Sequence, residues 1–257
     1  MRSDLLAQIN TDHLVHNYRA LKGLCGPKVR LCAALKADAY GHGIKIVAPA
    51  LQGAGCEDAA VATVVEAGEL RELGWKGRIL ILGNTLGVAD PAERRERIEA
   101  ISRFELDVTL CDADTLRMAA DSGLPLRWQL KIDTGMGRMG CLPADARLLI
   151  ELARRHSTLR LTGVYSHFAT ADFEKFDLVQ NQLGTFRTLI GELADVLPPQ
   201  VLRHLANSAA TITLPDAHFD MVRPGLALYG YYPAGHMRSC AELKPILRLV
   251  SHLSLVK

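Results

Sequence analysis

Residues 29–43 read VRLCAALKADAYGHG, an apolar run that ends on one lysine and breaks into a glycine-bearing turn. Side chains alternate faces along an extended chain. Arg30, Cys32, Ala34 and Lys36 therefore fall on one side, and Leu31, Ala33 and Leu35 on the other. The pattern predicts a buried strand whose last residue is Lys36, on the face bearing small residues. Gly41 and Gly43 permit a tight turn, so anything held by Lys36 sits above the strand's carboxyl end. An amine desolvated in such a place becomes nucleophilic, as Schiff-base chemistry requires. A strand-ending lysine can equally snorkel its ammonium to solvent. This stretch alone leaves both readings open.

Outward from it, strand-like and helix-like patterns alternate in both directions, which predicts parallel β/α units. A helix over 11–24 precedes the Lys36 strand, and another over about 44–53 follows it. A strand at 58–62 leads into Thr63-Val-Val-Glu66, a capping-box spacing, with the helix ending near Gly74. Strands at 77–82 and 105–110 flank a helix at 91–103, and a helix capped by Asp112 or Asp114 closes at Gly123. In the strand 126–133, Trp128, Leu130 and Ile132 share one face while Arg127, Gln129, Lys131 and Asp133 share the other. A strand covered by helices should be apolar outside, so the polar set is expected to point inward, where charges need partners. A strand at 159–167 precedes a strongly periodic helix (Phe176, Val179, Leu183, Phe186, Ile190, Leu193), and strands at 201–206 and 219–223 follow.

Eight strands with interleaved helices are what a (β/α)8 TIM-type barrel requires, and such barrels place their chemistry at strand carboxyl ends. Residues 1–232 are assigned to it. Residues 244–257 read as one more strand, with no partner visible in the sequence.

At 257 residues, 49% hydrophobic and 23% charged, the chain can bury a full core. A formal net charge of +2 gives no basic footprint for nucleic acid. The six cysteines include no CxxC pair and no zinc-type spacing, so no metal is expected, and reduced core thiols suit a cytoplasmic protein. The first ten residues, MRSDLLAQIN, lack the apolar core of a signal peptide, and no run approaches a membrane span.

Polar residues punctuate the predicted strand ends: Lys36 and Tyr40, Asp133 and Arg138, His167, Asn207 and Ser208, and Arg223. A barrel brings these ends together around one mouth. Taken singly, His167 reads as a core histidine, Arg138 as a carboxylate partner and Asn207-Ser208 as a helix N-cap.

KADAYGHG (36–43), LKIDTGMGRMG (130–140), GVYSHFATAD (163–172), HLANSAAT (204–211) and MVRPGLALYG (221–230) resemble, in order, the successive motifs of the alanine racemases. Asp38 departs slightly, standing where many members have asparagine. The resemblance implies a dimeric enzyme that interconverts L- and D-alanine with pyridoxal 5′-phosphate. It implies that Lys36 carries the cofactor as a Schiff base and serves as one of two proton-transfer bases. Ser208 and the amides of Gly225 and Leu226 would hold the phosphate, with a hydrogen bond from Tyr40, and Asn207 would order that loop. Arg223 would face the pyridine nitrogen with His167 supporting it from behind. Arg138 would reach the phenolic oxygen, beside Lys131, a position often carbamylated in the family.

Family members continue into a second, all-β domain that supplies a tyrosine base across a head-to-tail dimer. The resemblance therefore makes 233–257 a linker and the first strand of that domain, with the rest missing and activity impaired. Two alternatives stand beside this reading. A non-catalytic single-barrel pyridoxal-phosphate carrier would bind cofactor without turnover, and a cofactor-free phosphosugar barrel would leave Lys36 unmodified.

Overall fold

The computed structural model describes residues 5–252. Eight parallel strands close into a barrel: β2 (Arg30–Ala34), β3 (Asp58–Val61), β4 (Arg78–Ile81), β5 (Asp107–Leu110), β6 (Leu126–Lys131), β7 (Leu159–Tyr165), β8 (Leu202–His204) and β9 (Met221–Val222). β9 returns to β2 through the pairs Arg30–Met221 and Leu31–Val222. Helices cover the outside, the longest being Asp177–Glu192 and Thr11–Cys25. No helix among the described residues is long and apolar enough to cross a membrane.

The alternation along β2 resolves as its period requires. Leu31, Ala33 and Leu35 join the large core between barrel and helices, while Cys32 joins Ala60, Leu80 and Met221 in a small cluster inside the barrel. β6 obeys the same rule. Trp128, Leu130 and Ile132 pack outward, and Gln129 and Lys131 lie buried within. The inner apolar cluster is small, and polar interior side chains lie on both sides of it: Asp107, Thr109, Gln129, Lys131 and His204 on β5 to β8, and Asp58 on β3.

The capping box at Thr63 forms as expected, and Glu66 then does more than cap. Its carboxylate accepts from Ala62 N–H and Thr63 N–H, and also from Ala37 N–H at 2.8 Å. The helix that follows β3 thereby anchors the turn that follows β2.

Two expectations need correction. The lysine strand stops at Ala34, two residues short of Lys36. Ala37, Asp38, Ala39 and Tyr40 then all take left-handed φ, between 51° and 57°. Non-glycine residues in that region cost about 1–2 kcal/mol each, so the turn persists only because its surroundings hold it. Asp38 Oδ1 accepts from Ile44 N–H at 2.6 Å, and Gly43 N–H donates to Asp38 O at 3.0 Å. Second, the strand assigned to 244–257 has a partner. β10 (Leu247–Ser251) pairs antiparallel with β1 (Leu5–Ile9), a strand that the sequence pattern does not predict; residues 253–257 lie outside the described residues. The segment before β10 is strapped to the first helix, where buried Asn17 accepts from Lys244 N–H and donates to the Lys244 and Leu228 carbonyls.

Candidate active site

The barrel's strand carboxyl ends open into a cavity of about 490 Å3, a size that suits a small ligand. Lys36, Tyr40, Lys131, Arg138, His167, Asn207, Ser208, Arg223, Gly225 and Leu226 all line it. Lys131 closes β6, Arg223 lies one residue past β9, and Lys36 and His167 lie two past β2 and β7. Asp133 is the exception among the residues expected at the mouth. It turns into its own loop, where its carboxylate accepts from the Gly135, Met136 and Gly137 amides. Partial burial, the largest single effect, pushes the Asp133 carboxyl up, but the three amides together outweigh it and hold the group below the usual carboxylate range.

Four cationic side chains, Lys36, Lys131, Arg138 and Arg223, face the cavity with one acid, Asp172. Burial, then the charges of Arg138 and Arg223, push the Lys131 ammonium down to about 8. Lys36 is partly buried rather than enclosed. The two lysines differ in their neighbourhood. Lys36 follows β2, which pairs with β9, and Ala34 N–H donates to Pro224 O at 3.1 Å. It therefore shares an edge of the mouth with Gly225 and Ser208. Lys131 lies over the Tyr165 ring, 5.7 Å from its centroid, beside Arg138.

Around Gly225 the backbone approaches closely. A Cβ there would stand 2.3 Å from Tyr40 Oη, so no larger residue fits while Tyr40 keeps its place. Gly225 N–H and Ala227 N–H both donate to Ser208 Oγ, at 2.9 and 3.2 Å. Leu226 opens the turn Leu226–Tyr229, so its N–H has no acceptor within that turn. Asn207 takes the plain role of an N-cap, since its Oδ1 caps the helix Ser208–Thr213 through Ala210 N–H.

Arg223 is buried and donates Nη2–H to Ser166 O at 2.7 Å. The expectation that His167 supports it from behind holds only loosely, at 3.3 Å from Nη2 to His167 Nδ1. The shorter contact, 2.5 Å from Nη1, goes to His204 Nδ1. Sequence reasoning singles out neither His204, although it stands in HLANSAAT, nor Tyr165. Tyr165 stacks on His204 with centroids 4.8 Å apart, and Arg223 lies 5.0 Å over the same ring. Alternation along β8 places His204 inward with Leu202, but on β7 a register shift opposite Trp128/Gln129 breaks the period, so Leu161 packs outward and Tyr165 inward and no alternation signal finds Tyr165.

His167 sits among like charges. Burial, then Arg223, Arg138, Lys131 and Lys36, push its imidazolium form down to about 3. The folded chain thus refuses a proton that the unfolded chain takes up below about 6.5, so stability is expected to fall as pH drops from about 6.5 towards 3. His167→Asn should flatten part of that slope, read as urea midpoints between pH 7 and pH 4; an unchanged slope would mean His167 already titrates normally.

The family model for the alanine racemase N-terminal domain matches residues 9–233. The chain belongs to that family. It is 40% identical, over its full length, to 68% of the alanine racemase of Synechocystis sp., and 38% identical over 97% of its length to 64% of that of Nostoc sp.. Solved structures agree: the alanine racemase of Clostridium difficile 630 superposes with a TM-score of 0.89 at 30% identity, covering 97% of this chain and 64% of that one. The Streptomyces coelicolor A3(2) alanine racemase gives 0.86 at 38% identity, covering 99% and 68%. The chain thus spans about two thirds of the length of these relatives.

Proposed function

We propose that this barrel is the pyridoxal 5′-phosphate-binding part of an enzyme interconverting L- and D-alanine. One observation carries the reading most directly. A lysine and a glycine-backed cradle of a serine hydroxyl and backbone amides stand on adjoining strand ends of one cationic cavity. The cradle fits a phosphate, since Gly225 carries no Cβ to block it and Ser208 Oγ, which accepts from two backbone N–H groups, keeps its own hydrogen to donate. Ser208, Gly225, Leu226 and Tyr40 would hold the phosphate, Lys36 would hold the aldehyde carbon, and Arg138 would reach the phenolic oxygen. When bound, pyridoxal phosphate supplies an electron sink that acidifies the substrate's α-hydrogen.

Proton movement falls to the chain's own residues. Lys36 takes or returns the α-proton on its own face of the substrate, as one of two acid/base groups. Inversion needs the other group on the opposite face. That role is assigned to a tyrosine of a second, all-β domain beginning within 233–257, delivered across a head-to-tail dimer. Arg223 has no acceptor atom and keeps its protons near neutral pH. It therefore leaves a facing aromatic nitrogen unprotonated, which weakens the electron sink and favours prompt return of the proton over other outcomes. Lys131, with its ammonium pushed down to about 8, holds a neutral fraction at physiological pH that can take up carbon dioxide. Carbamylation would replace a cation beside Arg138 with an anion.

The deciding experiment loads the full-length protein with pyridoxal phosphate and follows D-alanine formed from L-alanine, with L-serine in parallel. Racemisation of alanine is expected. Cofactor retention without turnover of either amino acid would point to a carrier instead. Gly225→Ala should weaken cofactor binding about 10–100-fold, matching the ~1–3 kcal/mol of an overpacked site. An absorbance titration reads this, and unchanged affinity would remove Gly225 from the phosphate cradle.

A further inference from the structure

We propose that Asp107 and Gln129 are positioning residues for Arg223, acting by fixing the tautomer of His204 from the far side of the barrel interior. The importance of this for catalysis rests on the racemase reading; the hydrogen-bond chain itself needs no ligand.

The chain runs through four buried side chains. Asp107 Oδ2 receives Gln129 Nε2–H at 2.9 Å, Arg78 Nη1–H at 2.7 Å and Thr162 Oγ–H at 3.0 Å, while Oδ1 receives Arg127 Nε–H at 2.6 Å. A carboxylate so engaged only accepts, so Gln129 must turn its NH2 towards it. Gln129 Oε1 then faces His204 Nε2 at 2.8 Å. An amide oxygen also only accepts, so Nε2 must carry the imidazole hydrogen. A neutral imidazole has one N–H, which leaves a lone pair on Nδ1 for Arg223 Nη1–H at 2.5 Å. Burial, reinforced by the charges of Arg223 and Arg78, keeps His204 well below the ordinary imidazole range and hence neutral.

With the polarity reversed at any link, Arg223 would meet an N–H hydrogen head-on and lose its place. As it stands, Nη1 is tied to His204 and Nη2 to Ser166 O. The guanidinium plane is thus fixed, and Nε–H, with no protein acceptor among the described residues, is left for an occupant of the cavity that Arg223 lines. Space for the chain is also provided. Gly163 lies opposite Gln129 in register, and a Cβ on it would stand 2.7 Å from Gln129 Cδ.

The test uses the full chain with 15N-labelled histidine and no cofactor, reading nitrogen type from long-range 1H–15N couplings, with His204 assigned through His204→Gln. A single tautomer is expected, with Nε2 pyrrole-like and Nδ1 pyridine-like. Gln129→Met, of similar length but without the amide, should convert this to a mixture or to the Nδ1–H form. Gly163→Ala should shift it in the same direction by displacing Gln129, which covers a failure of Gln129→Met to fold. In the cofactor-loaded enzyme, Gln129→Met should lower kcat severalfold with the alanine KM held. An Nδ1–H ring in the parent chain, an unchanged Nε2–H ring in folded Gln129→Met, or an unchanged kcat would each overturn the proposal. The tautomer is read without substrate, so a failed turnover assay on the parent enzyme would sink the racemase reading and leave the tautomer result standing.

Discussion

Lys36→Ala is expected to abolish covalent retention of pyridoxal phosphate and to lower alanine racemisation by at least about 10²–10⁴-fold, the usual worth of a proton-transfer group. The variant removes both the attachment point and one acid/base. Borohydride reduction of the loaded parent protein, followed by peptide mass mapping, should place the adduct on the peptide bearing Lys36, and the variant should show none. The choice between two lysines is a real one. Lys131 lines the same cavity, and its ammonium is the one pushed down to about 8, which favours it as a free amine. Position is the argument for Lys36, because β2 borders β9 and Ala34 N–H is bonded to Pro224 O, next to Gly225. Lys131 stands on β6, across the barrel order from β9. An adduct mapped to Lys131 would overturn the assignment and reverse the roles of the two sides of the mouth.

Asp107→Leu should cost about 3 kcal/mol of folding stability, the low end of the ~3–5 kcal/mol range for breaking a buried ion pair. The carboxylate is fully buried and is the common acceptor for Arg78, Arg127, Gln129 and Thr162. Leucine fills much of the volume but leaves those donors without their acceptor. The low end applies because the Arg78 and Arg127 side chains keep 25% and 31% exposure and can turn partly to water. Asp58, 3.5 Å from Arg78, supplies further relief. Urea unfolding should show the midpoint falling at constant slope. A loss under about 1 kcal/mol would mean that the guanidiniums are resolvated and that the network contributes orientation rather than stability.

The barrel is legible in the sequence because period-two alternation is a local signal. Leu31, Ala33 and Leu35 against Cys32 and Ala34, and Trp128 and Leu130 against Gln129 and Lys131, carry it without help from distant residues. The cavity follows because the barrel topology gathers its strand ends. What stays hidden depends on long-range or unfavourable geometry. The left-handed turn at Ala37–Tyr40 runs against the preferences of alanine and tyrosine, and only Asp38 and the flanking glycines hint at it. It exists because Glu66, on another β/α unit, holds Ala37 N–H. His204 is hidden because its role is a matter of which nitrogen bears hydrogen, decided by residues on β5 and β6. The β1–β10 pairing is hidden because both strands are short and largely exposed, with no inward face to betray them.

That pairing also sets a clock on biosynthesis. Ile9 lies opposite Leu247, so β1, once made, must wait for about 240 further residues before its partner leaves the ribosome. At ~5–20 residues per second, this is on the order of 10–50 s. Leu5 and Leu6, still 60% and 49% exposed in the finished fold, spend that interval as an apolar stretch awaiting its partner strand. Such a segment offers holdase chaperones a landing site that disappears only when synthesis has passed residue 251.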